Sequence, residues 1–347
     1  MRIVHVVPVW LAVSTQSHGG IETFVAELLV AQSALGHDVI LVGAGGSDVA
    51  VPLIEAVPEP VGPLMERGEA SEYEYYEQEL VKSALSTAQN ADVVHSHVVP
   101  GTFVLQDAFA GTPPVLYTLH GQVTEDLCWS LRRSPRAVVG VSYSQYEQAA
   151  ARGASLLGVT HNGIDVSAVP FSASGGEELL FLGRMEWRKG PDMAIRAACE
   201  VGRPLTLAGP ITDRQFFEAE VEPLLGPQIR YVGVLDREGK RRALARSCCL
   251  LVPSRWSEPF GMVCVEAMAA GTPIAAMRSG ALPEVVDDGV TGRVVATEGE
   301  LPAAVIEASA LDRTTVRRAA RERFDVGVVA RAYLAHYQRL AKDRIAR

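Results

Sequence analysis

Long apolar runs are missing from this chain of 347 residues. No stretch reaches the roughly eighteen consecutive apolar residues that a membrane-spanning helix needs, so no span and no stable membrane association are expected. Aromatic residues are few, 6% against 48% hydrophobic residues in all, the balance of an aliphatic globular α/β protein and not of a disordered one. Cysteine is sparse too. Cys128, Cys199, Cys248, Cys249 and Cys264 show no metal or redox spacing. The pair at 248–249 opens an apolar run, which reads as reduced core cysteine in a cytoplasmic protein. A basic surplus is also lacking. The net charge is −9, and it is uneven: residues 1–165 hold 7 Lys+Arg against 18 Asp+Glu, the remainder 25 against 23. Nucleic acid is therefore not an expected partner. The opening MRIVHVVPVW has an apolar run, but Pro8 and the want of a small-residue cleavage site make it a first buried strand, not a signal peptide.

What is present is an alternation of short apolar runs and helical stretches, long enough for two domains. Residues 2–8, 38–43, 92–96, 115–119, 136–141 and 156–160 read as strands, with helices at 21–35 and 69–88. Residues 44–68, rich in Gly, Pro and Val, yield no assignment. A second series begins with a strand at 178–182, then a helix at 192–198, strands at 204–209 and 229–234 and a basic helix at 236–247. The stretch 250–294 follows as strand, loop, helix and strand, its helix at 262–270 closed by Gly271 with Pro273 just beyond. A last helix is expected over 325–342. The organisation predicted is thus a doubly wound parallel α/β domain over 1–170, a second over 171–325 and a terminal helix over 326–347.

Chemistry-bearing residues fall at the joins. Gly19 and Gly20 precede a helix at the carboxyl end of a strand, where a backbone can pass close to a ligand; a plain tight turn explains them equally well. The run Gly43–Ala44–Gly45–Gly46 lacks the third glycine and following helix of a dinucleotide fingerprint. His95 and His97 share one face of a strand but have no nearby third and fourth ligands, so no metal is expected. His120 stands at a strand's carboxyl end, just before Gly121, where doubly wound sheets expose ligand groups. Arg184 and Lys189 flank one loop, and Glu258 and Glu266 flank another. Between those carboxylates, Phe260, Gly261 and Met262 open a helix whose free N–H groups can meet an anion. An anion cradle beside two carboxylates suits a nucleotide sugar: N–H groups meet the diphosphate and carboxylates accept from sugar hydroxyls.

These segments carry a family likeness. SEPFGMVCVEAMAAGTPI followed by ALPEVVDDGVTG resembles the donor-site signature of family 4 of the retaining glycosyltransferases, which share the two-domain GT-B fold. YTLHG resembles the family's T-x-H-G element, FLGRMEWRKG its G-R-x(4)-K-G pattern, and HNGID the N-G-(V/I)-D turn that ends its first domain. The resemblance implies a site in the cleft facing both domains and a terminal helix that crosses back to the first domain. Gly19, Gly20, His95 and His97 would line the acceptor side, and His120 would hydrogen-bond the transferred sugar. Arg184 and Lys189, after Gly183, would hold the diphosphate. Arg188 would face solvent. Arg230, Tyr231 and Val232 would bracket the base through their backbone. Glu258 would face the sugar hydroxyls, Glu266 the ribose, and the N–H groups from Phe260 through Gly261 and Met262 to Val263 the sugar or phosphate oxygens, with a polar contact from Ser254. Glu284 would support a helix start. At Ser279–Gly280–Ala281 the chain departs from a usual double glycine.

The activity implied is retaining transfer of a hexose-type sugar from a nucleoside diphosphate donor, UDP-linked, to a hydroxyl of a soluble small-molecule acceptor. No metal and no resident cofactor are expected. Some relatives dock on membranes through a basic face of the first domain, but the matching residues here, ERGEASEYEYYEQE, are acidic and would be repelled by anionic lipid. The compact size resembles members that decorate bacterial natural products. An epimerase or phosphorylase of the same fold, or a nucleotide-sugar binding protein without turnover, is the alternative.

Overall fold

On the first strand Val4 and Val6 point to one side of the sheet and Ile3 and His5 to the other, all four shut away from solvent. Alternation with both faces buried is what a parallel sheet covered by helices demands. The computed structural model describes residues 1–17, 19–109 and 113–345; His18, from the glycine loop, lies outside them. The described chain divides into two compact units, Met1–Gly163 with Val326–Arg347, and Ile164–Asp325. The expectation placed the divide near residue 170; it falls at Gly163 and Ile164, inside the NGID turn.

Unit 1 has seven parallel strands: β1 (Arg2–Val6), β2 (Asp38–Ala44), β3 (Leu53–Val57), β4 (Val93–Ser96), β5 (Val115–Leu119), β6 (Ala137–Gly140) and β7 (Gly158–Val159). Their order is β3-β2-β1-β4-β5-β6-β7, so the winding reverses between β1 and β4. One face packs Val4, Val42, Val94 and Tyr117 under the helices Tyr73–Thr87 and Glu125–Arg133. The other face meets the helix Gly20–Ala34 and the last helix, Val326–Ile345, which pack on each other. The sequence reading lacked the helices Val104–Ala108, Glu125–Arg133 and Tyr143–Ala151, and it also lacked β3 and the short helix Val61–Glu66. Both lie in the unassigned 44–68 stretch, and β3 is an edge strand with exposed Ile54 and Glu55.

Unit 2 repeats the plan with β8 (Leu179–Leu182), β9 (Leu205–Ala208), β10 (Ile229–Tyr231), β11 (Cys249–Val252), β12 (Ile274–Met277) and β13 (Gly292–Val295). All pairs are parallel, in the order β10-β9-β8-β11-β12-β13, with the reversal between β8 and β11. Phe181, Leu207, Leu251 and Ala275 form its core with the helices Pro191–Val201 and Leu301–Ser309. Each fully buried aliphatic side chain contributes roughly 1.5–3 kcal/mol, so these layers dominate stability. Arg313 is a buried exception: its guanidinium donates to the carbonyls of Ser172, Ala245 and Ser247 and to the Thr272 hydroxyl. The five cysteines are free; Cys248 and Cys249 are buried as expected, and Cys199 is exposed. No helix of the described residues is long and apolar enough to cross a membrane.

Candidate functional site

In a doubly wound sheet the loops that part at the winding reversal open a crevice at the carboxyl ends of the strands. In unit 2 those are the loops after β8 and β11, and they carry the expected charged residues. Glu258 is 6% exposed. Its Oε1 accepts from Ser254 Oγ at 2.8 Å, from Trp256 Nε1 at 2.8 Å and from Lys189 Nζ. Lys189 also stands 4.9 Å from the centre of the Trp256 ring. All three donors converge on one oxygen, and Oε2 takes none of them. Ser254, expected against the ligand, instead supports Glu258. Gly280, at φ +54°, backs the same residue: a Cβ there would lie 2.3 Å from the Glu258 backbone N and O. Ala281 donates its N–H to the Glu258 carbonyl at 2.9 Å, and Ser279 Oγ donates to the Trp256 carbonyl.

What fixes the two loops together was not read from sequence. Arg255 grips Asp192 with both ends of its guanidinium, at 2.8 and 2.5 Å, and donates to the Trp187 carbonyl at 2.9 Å. Its own N–H meets the Arg188 carbonyl, and its guanidinium lies over the Trp187 ring. Burial alone would raise the Asp192 carboxyl, but Arg255 and Arg196 outweigh it and hold its pKa below the ordinary value. Arg184 reaches outward, 46% exposed at its side chain, with Glu186 3.0 Å away. Arg188 is exposed as expected.

Gly261 adopts φ +94°, a left-handed conformation that favours glycine, and starts the helix Met262–Ala269. The buried Phe260 ring anchors the turn against Phe324 at 5.8 Å. On that helix Glu266 pairs with Lys240 at 2.5 Å. Arg230 turns its side chain to Glu178 at 2.6 Å, and the Val232 N–H donates to the Leu207 carbonyl. Gly183 donates its N–H to Ala208. Glu284 lies within the short helix Leu282–Val285.

Unit 1 gathers a different set. Register places His5 beside His95 on β1 and β4; His97 follows β4 and His120 follows β5. Their rings connect: His120 Nε2 to His97 Nδ1 at 3.0 Å, His97 Nε2 to His5 Nδ1 at 3.1 Å, and His5 Nε2 to Gln32 Oε1 at 2.8 Å. Gln32 Nε2 reaches Tyr337 Oη at 3.1 Å, which touches His95 Nδ1 at 2.6 Å; His95 Nε2 meets Thr118 Oγ1 at 2.7 Å. Burial lowers the pKa of all four imidazoles, His5 to about 4, His120 to about 3, His95 and His97 well below the usual value. The nitrogens of His5, His95 and His97 cluster within 4.8 Å, a spacing that could hold a metal ion. All six ring nitrogens already have hydrogen-bond partners, so the cluster is satisfied as it stands.

His97 and His120 line a cleft of about 400 Å³ in unit 1, together with Tyr73, Glu77, Val98 and Thr124. His95 is fully buried behind it. Burial, then the charge of Glu74, raises the Glu77 carboxyl. Gly19 caps the helix that begins at Gly20, with the buried Glu22 carboxylate folded beside it. His5, Gln32 and Tyr337 were missed by sequence reasoning. Matching HVVP and HSHVVP at the ends of two strands was the available signal for His5.

Two α/β units of this winding, each with polar groups at its reversal, agree with the GT-B fold that the sequence motifs implied. Residues 18–168 match the model of "Glycosyltransferase Family 4" and residues 167–323 that of "Glycosyl transferases group 1". The chain belongs to glycosyltransferase family 4. The glycogen synthase of Mycobacterium tuberculosis (strain H37Rv) is 29% identical over 373 aligned residues, covering 90% of this chain and 89% of that one. Among solved structures, AviGT4, a glycosyltransferase involved in avilamycin A biosynthesis, superposes with a TM-score of 0.76 at 24% identity, covering 99% of this chain and 98% of the other. HepE of Anabaena, in complex with UDP and glucose, gives 0.73 at 18% identity, covering 97% and 99%. At these identities the structural likeness establishes the fold.

Proposed function

We propose that the chain transfers a hexose-type sugar, with retention of configuration and without a metal, from a UDP-linked donor to a hydroxyl of a soluble small-molecule acceptor. The observation that carries this reading is the Lys189–Glu258 contact at the winding reversal of unit 2, held by Ser254 and Trp256. A lysine that answers a carboxylate in the free protein can turn to a diphosphate when one arrives, and the Glu258 oxygen that Lys189 leaves can take a sugar hydroxyl. Arg184, exposed in the same loop as Lys189, supplies the planar fork that suits phosphate oxygens. The N–H groups that open the helix at Met262 add a positive end for the same charge. Glu266 would accept from the ribose and the backbone at 230–232 would border the base. The uridine assignment draws on the likeness to HepE, which binds UDP and glucose.

In the step itself the bond from the anomeric carbon to the phosphate oxygen breaks. The bond to the acceptor oxygen forms on the same face, and the departing phosphate takes the acceptor's proton. Charge grows on the phosphate as it leaves, so Arg184 and Lys189 act where it grows. On this reading His120 touches the transferred sugar, and the unit 1 cleft beside it takes the acceptor. Among the described residues that cleft carries Glu77, two neutral imidazoles and no lysine or arginine, which suits a neutral or cationic acceptor better than an anionic lipid head.

The test is calorimetric titration with UDP, GDP, ADP and dTDP, first without and then with a divalent metal. The expected result is selective metal-free binding of UDP that is lost in Arg184→Ala. Binding that requires metal, or binding that Arg184→Ala leaves intact, overturns the donor assignment. Transfer is then followed as UDP release from a UDP-hexose that depends on added acceptor, which separates it from epimerisation.

A further inference from the structure

We propose that Gln32, His5 and His97 are positioning residues that set the tautomer of His120, so that His120 enters the site with Nδ1 as a bare hydrogen-bond acceptor. A neutral imidazole carries one N–H and one lone pair. Gln32 Oε1 can only accept, so the hydrogen of its 2.8 Å contact belongs to His5 Nε2. His5 Nδ1 is then a lone pair, and His97 Nε2 donates to it across 3.1 Å. His97 Nδ1 is a lone pair in turn, and His120 Nε2 donates to it across 3.0 Å. The remaining nitrogen, His120 Nδ1, is left without a hydrogen. It is a buried nitrogen with no partner among the described residues.

The second arm of the network holds the amide that sets this sense. Gln32 Nε2 donates to Tyr337 Oη, whose hydroxyl donates to His95 Nδ1. His95 Nε2 then donates to Thr118 Oγ1, and Thr118 donates to Tyr333 Oη at 3.1 Å. Turning the Gln32 amide over would reverse both arms together and leave a buried N–H on His120 without an acceptor. Orphaned buried N–H groups are rarer than under-satisfied acceptors. Burial keeps every ring in the chain neutral near pH 7, so the one-donor, one-acceptor rule applies throughout.

The consequence is a chemical preference. His120 can take a hydrogen bond from a hydroxyl or an ammonium group, and it cannot give one from Nδ1 to a phosphate or carbonyl oxygen. This deepens the proposed function and rests on its reading of His120 as a site residue, but the tautomer can be measured without any substrate. The experiment is long-range proton–nitrogen NMR of the full chain labelled with nitrogen-15 histidine, the His120 signals being those lost in His120→Asn. The expected spectrum has a pyridine-type Nδ1 and a pyrrole-type Nε2 on His120 at neutral pH. A pyrrole-type Nδ1 overturns the proposal, whatever the activity.

Gln32→Leu removes the pin, and mixed tautomers are expected at His120, with kcat down about tenfold and KM for the nucleotide sugar little changed. Gln32→Glu, whose carboxylate still accepts from His5 Nε2, should restore the wild-type His120 spectrum. An unaltered His120 tautomer in folded Gln32→Leu overturns the role given to Gln32. If the wild-type tautomer is as expected but His120→Asn turns over normally, the tautomer chain stands and the functional reading of His120 falls.

Discussion

The two units share one winding and one place for chemistry, yet they fill it with opposite materials. All eight histidines of the chain lie within residues 1–163 and 326–347, and 20 of its 32 Lys+Arg lie within 164–325. Unit 1 buries a relay of neutral rings, hydroxyls and one amide, whose members satisfy each other up to its open end at His120 Nδ1. Unit 2 sets a cation against each carboxylate of its site, the buried Glu258 with Lys189 and Asp192 with Arg255 and Arg196, and the half-buried Glu266 with Lys240. The fold supplies the location and says nothing about the chemistry. A neutral relay sets direction, which nitrogen donates and which accepts; paired charges set a potential that an anionic ligand can enter and rearrange.

The largest expected effect breaks the comparison by acid. The buried imidazoles of unit 1 have folded pKa values below the unfolded value of 6.5, His5 at about 4 and His120 at about 3. The unfolded chain therefore binds more protons in that interval, and stability is complete above about pH 6.5 and lost as pH falls toward and through 4. Glu22 and Glu77, raised by burial, pull the other way, but the imidazoles outnumber them. In unit 2 the depressed Asp192 carboxyl contributes stability above its unfolded value of 3.8, which is lost only as pH falls below that. Hydrogen exchange read amide by amide should show unit 1 opening at a higher pH than unit 2. Simultaneous loss of both below pH 3.8 would refute the contrast.

Next in size is Lys189→Ala. It removes a charge that the proposed transition state uses, and a loss of about 10²–10³ in kcat is expected, the cost typical of one such donor. A steady-state assay of acceptor-dependent UDP release checks it, and a loss under threefold would move the diphosphate role to Arg184 alone. Arg255→Ala tests whether the loops need their tie. Two charge-assisted hydrogen bonds to Asp192 vanish, so unfolding free energy should fall by about 2–3 kcal/mol and the acid transition of unit 2 should move to higher pH. Denaturant unfolding at neutral pH and again near pH 4 reads both; an unmoved acid transition would mean that Arg196 suffices.

The strands that were legible are mostly short buried apolar runs, and the helices that were legible have caps or glycines at their ends. The strand Gly292–Val295 and the helices Glu125–Arg133, Tyr143–Ala151, Leu301–Ser309 and Arg313–Phe324 were not read. Nor was the edge strand Leu53–Val57, since its outward residues carry no such pattern and a single partner strand, β2, holds it in place. In the site, Glu258 and Lys189 were visible because each sits in a loop directly after a strand, inside a run long enough to resemble a family. Arg255 and Asp192 lie 63 positions apart, and Gln32 and Tyr337 lie 305 apart. Taken singly, an arginine in a loop reads as surface and a glutamine in a helix as solvent-facing. Only the register of β1 against β4, and the return of the last helix to unit 1, turn them into partners.

The smallest effect sharpens the comparison at the Ser279–Gly280–Ala281 turn, where the sequence reading expected a double glycine. Ser279 lies in that turn, and its hydroxyl donates to the Trp256 carbonyl, a bond that glycine cannot make. Gly280 next to it must stay glycine, because its backbone presses on Glu258. Ser279 is therefore an added strap on a loop that Arg255 and Gly280 already position, and Ser279→Gly should cost about 1 kcal/mol of stability. Because Glu258 keeps its bonds to Ser254, Trp256 and Lys189, kcat should change less than twofold. Thermal unfolding and a steady-state assay on the same preparation decide it. A large fall in kcat with stability unchanged would show that the strap serves the Trp256 ring, and through it Lys189, and that unit 2 relies on directional bonds as unit 1 does.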